Sequence, residues 1–207
     1  HQYESYKLNE VIKTIYDFVY NDFCDWYIEF TKTRFYGDNE QDKKIAESVS
    51  IYVLKNILKM LHPFTPYITE EIWGYLNVKD ESFIINSKMP SMNKTLINKS
   101  IEDEMNIITG AIGAIRNIKA SLNIPPSKTI DLYVRGPKLE TNIIEKNINL
   151  LNRLAKIDHI ETGDNIKKPN QSATAIMKNI EIFIPLKGLI DLNEEIARLE
   201  KQIEDMN

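Results

Sequence analysis

Between Arg116 and Lys178 the chain carries 11 lysines and arginines against 6 aspartates and glutamates, a local charge of +5. The whole chain of 207 residues has a net charge of −4, so the rest of it sums to −9. An asymmetry of this kind points to an anionic partner for the basic segment. Arg116 and Lys119 lie three residues apart, and Lys128 and Arg135 follow. Other chemistry is poorly provided for. The 3 histidines and single cysteine leave almost no room for a zinc site. The 7 glycines spell neither GxGxxG nor GxxxxGK[ST], so no phosphate-cradling loop is expected, and no cofactor or metal ion. Glu70-Glu71 sits near the start of a short helix, where carboxylates favour the helix dipole, and no substrate cleft is implied for a paired acid and base. His62, just before Pro63, reads as a helix C-terminal cap, and Cys24, among aromatics, as a small buried apolar residue.

The composition is that of a globular protein, with 43% hydrophobic and 27% charged residues. One cysteine excludes a disulfide-built scaffold and makes a reducing compartment the default. No apolar run approaches the ~18 residues that a spanning helix needs. Residues 1–6 lack the charged-then-apolar order of a signal peptide, and a cytoplasmic location is the expectation.

Elements that position these residues follow from periodicity. Apolar residues at 8, 11, 12, 15, 18, 19, 23, 26, 27 and 30 predict one long helix from Lys7 to about Tyr36. Its aromatics are too many for one stripe, so neighbours on more than one side are expected, with Trp26, Tyr27 and Phe30 in the core. A second helix runs from Glu40 to His62, with Ile45, Val49, Tyr52, Val53, Ile57, Met60 and Leu61 on its apolar side. Thr65-Pro66 opens a third, carrying Ile68, Ile72, the core anchor Trp73 and Leu76, and stopping near Asn77. Residues 78–98 read as irregular, with Phe83-Ile84-Ile85 extended. A fourth helix spans Lys99–Leu122, with Ser100 and Asp103 resembling a cap and Gly110 and Gly113 marking close packing. After Pro125-Pro126 the period changes to two: Ile130, Leu132 and Val134 alternate as a strand. A helix over 139–156, a strand near 159–162 and a hairpin turning at Lys178-Asn179 follow. Leu192, Ile196, Leu199 and Ile203 open a coiled coil. The expected fold class is thus α-dominated. It comprises a helical bundle over 1–122, a small β-α-β-β unit over 123–190 and a truncated coiled-coil helix over 191–207.

Four segments carry a resemblance. Leu61-His62-Pro63-Phe64-Thr65-Pro66-Tyr67-Ile68-Thr69-Glu70-Glu71-Ile72-Trp73 resembles the LHPFxPFITEEIW stretch of the class I aminoacyl-tRNA synthetases for valine, leucine and isoleucine. The His-Pro pair is most like the valine type. Phe23-Cys24-Asp25-Trp26-Tyr27-Ile28-Glu29 is similar to its FCDWYIE helix, and residues 115–126 to its IRNIRAEMNIPP connector. Phe183-Ile184-Pro185-Leu186-Lys187-Gly188-Leu189-Ile190-Asp191 is similar to the stretch before its coiled-coil arm. All four occur in the family's order.

The resemblance implies the anticodon-binding region of a larger enzyme that attaches valine to its tRNA with ATP. HIGH-like and KMSKS-like elements are missing from this sequence. Catalysis, ATP and editing are therefore expected upstream, along with the first helix of the bundle, and most of the arm downstream. The implied partner is valine-accepting tRNA, and the parent is expected to be monomeric and off the membrane. Unpaired anticodon bases are read by stacking and by hydrogen bonds to their edges. Lys32 and Arg34, beside Phe35 and Tyr36, are candidates there. Arg116, Lys119, Lys128 and Arg135 are candidate phosphate contacts. The first helix, at ~1.5 Å per residue, would span ~45 Å and could present a reading surface far from the chemistry. The corresponding region of an isoleucine or leucine enzyme, or a helical protein-interaction module, remains as an alternative.

Overall fold

The computed structural model describes residues 7–76 and 83–190. The expected stop at Asn77 and the coiled coil over 191–207 lie outside the described residues. The chain divides into two compact units, His1–Leu96 and Ile97–Asn207.

In the first unit the long helix is present, in three windings. α1 (Leu8–Asp17) passes into a π-wound stretch, Phe18–Ile28, and then into α2 (Glu29–Phe35). Its rings pair along the helix: Tyr16 with Tyr20, Phe23 with Tyr27 and Trp26 with Phe30, all stacked, with centroids 4.3, 5.7 and 5.6 Å apart. The expectation that Trp26, Tyr27 and Phe30 are core is corrected. All three are half-buried, Phe23 is the buried ring, and Tyr16, Phe18 and Tyr20 are exposed. Cys24 is exposed as well, which corrects the expectation of a buried apolar residue.

α3 (Glu40–Leu61) starts where Oδ1 of Asn39 accepts from the backbone N–H of Gln41 and Asp42, each at 3.1 Å. Ala46, Ile57 and Leu58 are its buried residues, whereas Ile45, Val49 and Tyr52, expected on the buried side, are exposed. α4 (Pro66–Tyr75) has Pro66 in its first turn. Thr65 does not cap it through its side chain; the hydroxyl instead donates back to the carbonyl of Leu61 at 3.3 Å. His62 occupies the C-cap of α3, and its Nδ1 stands 2.8 Å from Oγ1 of Thr69. That hydroxyl donates to the carbonyl of Thr65 at 2.8 Å, which leaves the imidazole as donor. Trp73 anchors a cluster with Leu58 and Ile84, as an indole of that size should. Ile84–Asn86 is a 3-10 turn and not extended, because Oε1 of Glu70 accepts the Ile84 N–H at 3.1 Å and curls the chain onto α4.

In the second unit α5 (Lys99–Ser121) begins at Asn98, whose side chain accepts from the Ile101 N–H; Ser100 is not the cap. Ile108, Ala111, Ile112, Ile115 and Ile118 bury one stripe of α5 against the sheet and the helices that follow it, so α5 packs with the β-containing unit. β1 (Ile130–Arg135) pairs parallel with β2 (Ile157–Gly163) and antiparallel with β4 (Ile180–Pro185), and β4 with β3 (Ser172–Met177). The order is β2-β1-β4-β3. Between β1 and β2 the expected single helix is broken into α6 (Lys138–Lys146) and α7 (Ile148–Ala155), where Asn147 turns its amide back to the Ile143 carbonyl at 2.9 Å. Ile130, Leu132 and Val134 are all buried, as their alternation predicts. Gly110 meets Met177 so closely that a Cβ there would lie 2.3 Å from its sulfur, whereas a Cβ at Gly113 would meet nothing beyond its own helix within 4 Å among the described residues.

Candidate nucleic-acid interface

The six cations singled out in the sequence are divided between the two units. In the first, Lys32 pairs with Glu29 one turn back on the same helix. Arg34 reaches from α2 to α3, where its Nε and Nη2 meet Oδ1 of Asp42 at 2.8 and 2.6 Å. The Asp42 carboxylate holds the Arg34 guanidinium above its ordinary pKa. Both charges are matched by a neighbouring carboxylate.

In the second unit Arg135 is on β1. Its Nε donates to Glu181 on β4, its Nη1 donates to the Ile166 carbonyl at 3.3 Å, and the guanidinium stands 5.2 Å from the centre of the Phe183 ring. Arg116 and Lys119 share one face of α5, and both turn to the end of α7. Nη2 of Arg116 donates to the Leu154 carbonyl at 3.3 Å. Nζ of Lys119 donates to the carbonyls of Ala155 at 2.8 Å and Lys128 at 2.6 Å. Two cations thus satisfy the last carbonyls of α7, where the helix dipole also favours them. Lys119 is only 3% exposed. Burial, and secondarily the charge of Lys156, push its pKa down. Lys119 therefore spends its donors on the fold, and of the six cations Arg116 and Lys128 are the exposed ones.

The ends of α5 and α7 and the turn between α5 and β1 enclose a groove of about 770 Å³. Among the described residues Arg116, Lys119 and Lys156 are its charged groups, and no carboxylate lines it. Ile124, Pro125, Pro126 and Leu154 supply an apolar wall, and Asn123 and Ser127 the neutral polar groups. Lys128, next along from Ser127, donates its N–H to the Pro125 carbonyl at 2.9 Å and closes this turn.

Sequence reasoning missed Lys156 and Asn123. Both are the residues at which helices end with a left-handed backbone, Asn123 at φ 52° and Lys156 at φ 55°. A glycine would adopt that conformation without strain. The available signal was a helix running straight into a strand, at Ala155-Lys156-Ile157, with no glycine at the junction.

Among the described residues no group of histidine, cysteine, aspartate and glutamate is arranged to hold a metal ion, and no helix is long and apolar enough to cross a membrane. A family model described as the anticodon-binding domain of tRNA ligase matches residues 1–134. The chain is 41% identical over 206 residues to a valine--tRNA ligase of Listeria innocua. It is 39% identical over 205 residues to one of Geobacillus stearothermophilus and 34% identical over 204 residues to one of Bacillus subtilis. These alignments cover 98–99% of this chain and 23% of each relative.

Proposed function

Because the chain belongs to the anticodon-binding domain family of tRNA ligases, we propose that it is the tRNA-binding region of a valine--tRNA ligase. The single observation that carries this reading is that similarity to proteins of that name runs through 99% of the chain, past the end of the family match at residue 134. The second unit is included, and with it the groove and its cations.

In this reading the whole protein joins valine to its tRNA at the expense of ATP. ATP binding and bond formation belong to other parts of it, and this region needs no cofactor. It works in the cytoplasm as part of a monomer. Its task is to hold the tRNA so that the acceptor end reaches a distant catalytic site. Arg116 and Lys128, exposed near the groove, are the cations best placed for phosphates. Such contacts fix register and give salt-dependent affinity without reading sequence. Lys32 and Arg34 lie at the end of the long helix with Phe35 half-buried and Tyr36 exposed beside them, a grouping suited to unpaired bases.

The test is filter retention of a valine-accepting tRNA transcript against an isoleucine-accepting one at several salt concentrations. Preferential retention of the first, weakening steeply with salt, is expected. Equal retention of both would move the assignment to a sister enzyme, and retention of neither would remove tRNA as the partner.

A further inference from the structure

Within the tRNA-binding reading, we infer that the groove between the ends of α5 and α7 is a pocket for one unpaired nucleotide of the RNA. The base lies against Pro125, Pro126 and Leu154, and the phosphate lies at the rim beside Lys156 and Arg116.

The groove's chemistry selects this ligand. Among the described residues three cations line it and no carboxylate does, which disfavours a metal ion or a basic side chain and favours an anion. Bare phosphate would leave the apolar wall of Ile124, Pro125, Pro126 and Leu154 unused. A nucleotide uses both, since its π-face packs on the apolar wall and its phosphate meets the cations. About 770 Å³ is within the range of small-ligand pockets, and a nucleotide is a ligand of that class. Asn123, on the same wall, carries both a donor and an acceptor, as an exposed base edge requires.

The backbone holds two of the lining side chains in place. Asn123 and Lys156 both line the groove, and both hold φ near +50° where glycine is the unstrained choice. Asparagine tolerates this backbone and lysine less so, and Gln171 and Lys178 hold it elsewhere in the chain; at the groove it fixes where two side chains stand. Lys119 fits the same picture. Two of its three N–H groups go to carbonyls, and its buried charge is disfavoured by burial and by the charge of Lys156, with no carboxylate among the described residues that line the groove. A phosphate at the rim would relieve the repulsion between these two lysines.

The experiment uses the intact chain and a valine-accepting tRNA transcript substituted with 4-thiouridine. Irradiation is followed by peptide mapping, and Kd is measured against salt for Lys156→Gly, Asn123→Gly and Arg116→Gln. Glycine keeps the left-handed backbone at 156 and 123, so those two variants fold. Cross-links from an unpaired nucleotide to the peptide spanning 123–127 or 154–156 are expected. Lys156→Gly should weaken binding about three- to tenfold and lower the salt slope by about 0.7, the loss of one single-strand phosphate contact. Asn123→Gly should weaken binding with an unchanged slope. If wild-type chain retains the tRNA but all three variants keep its Kd and slope, or no cross-link reaches these peptides, the pocket is overturned and the tRNA reading stands. If wild-type chain retains no tRNA, both fall.

Discussion

Nζ of Lys119 lies 2.8 Å from the carbonyl oxygen of Ala155, a residue 36 positions further along the chain. The same ammonium donates to the carbonyl of Lys128. One buried cation therefore joins α5, the turn before β1 and the end of α7. Replacing it by methionine keeps the stem volume but strands two carbonyls. Lys119→Met should cost roughly 1–3 kcal/mol, the penalty for leaving a buried acceptor unpaired. The Lys119 pKa is lowered in the fold, so the unfolded chain holds that proton more tightly. In the window below the ordinary lysine pKa of 10.5, unfolding takes up a proton, and raising pH favours the fold. The stability margin of wild type over Lys119→Met should widen as pH rises through that window, measured by urea unfolding at a series of pH values.

What the sequence could and could not disclose is visible in this residue. The spacing of Arg116 and Lys119 places both on one helical face, and their charge suggests an anion. Whether an ammonium goes to a phosphate or to a carbonyl depends on Ala155 and Lys128, and tertiary packing brings those together. Strands at 130–134 and 180–184 are legible because a period of two has few competing explanations. The break at Asn147 is hidden because the apolar spacing of Ile143, Ile144, Ile148 and Leu151 runs through it undisturbed. The long helix has more rings than its neighbours cover, and some cover one another instead: Tyr16 and Tyr20, both exposed, stack at 4.3 Å. Lys156 goes unnoticed because its importance comes from a backbone conformation imposed by the junction of α7 with β2.

The two glycines of α5 should behave differently. A Cβ at 113 would meet nothing beyond its own helix within 4 Å among the described residues, so Gly113→Ala should stabilise by up to ~1 kcal/mol through helix propensity alone. At 110 the same gain is offset, because the Met177 side chain must move to admit a methyl group. Gly110→Ala should therefore raise the thermal midpoint by less than Gly113→Ala. Equal gains in calorimetry would mean that Met177 shifts freely.

Glu181 and Arg135 join β4 to β1 on adjacent strands. The guanidinium holds the Glu181 carboxyl below its ordinary pKa, so the ionised form is favoured in the fold. The contribution is fully present above the unfolded carboxylate's pKa and is lost as pH falls through the depressed folded value. Acid unfolding followed by circular dichroism should therefore separate wild type from Glu181→Gln at neutral pH, and the two curves should converge at the acid end. Because the pair is partly solvated, added salt should narrow the separation. Parallel curves at every pH would show that Arg135 is held in place by Phe183 and the Ile166 carbonyl alone.

Lys156 gives the sharpest contrast between folding and binding. Its φ of 55° is a conformation that costs a side chain roughly 1–2 kcal/mol relative to the right-handed form, and glycine escapes that cost. Glycine also adds backbone entropy to the unfolded chain, which offsets part of the gain. Lys156→Gly should still raise stability by about 0.5–1 kcal/mol, and removing a cation beside buried Lys119 acts in the same direction. The same substitution is expected to weaken tRNA binding. Opposite signs on urea midpoint and tRNA affinity are what a lysine retained for its charge would give, whereas a loss of stability would mean that Lys156 serves the junction of α7 with β2 and not the groove.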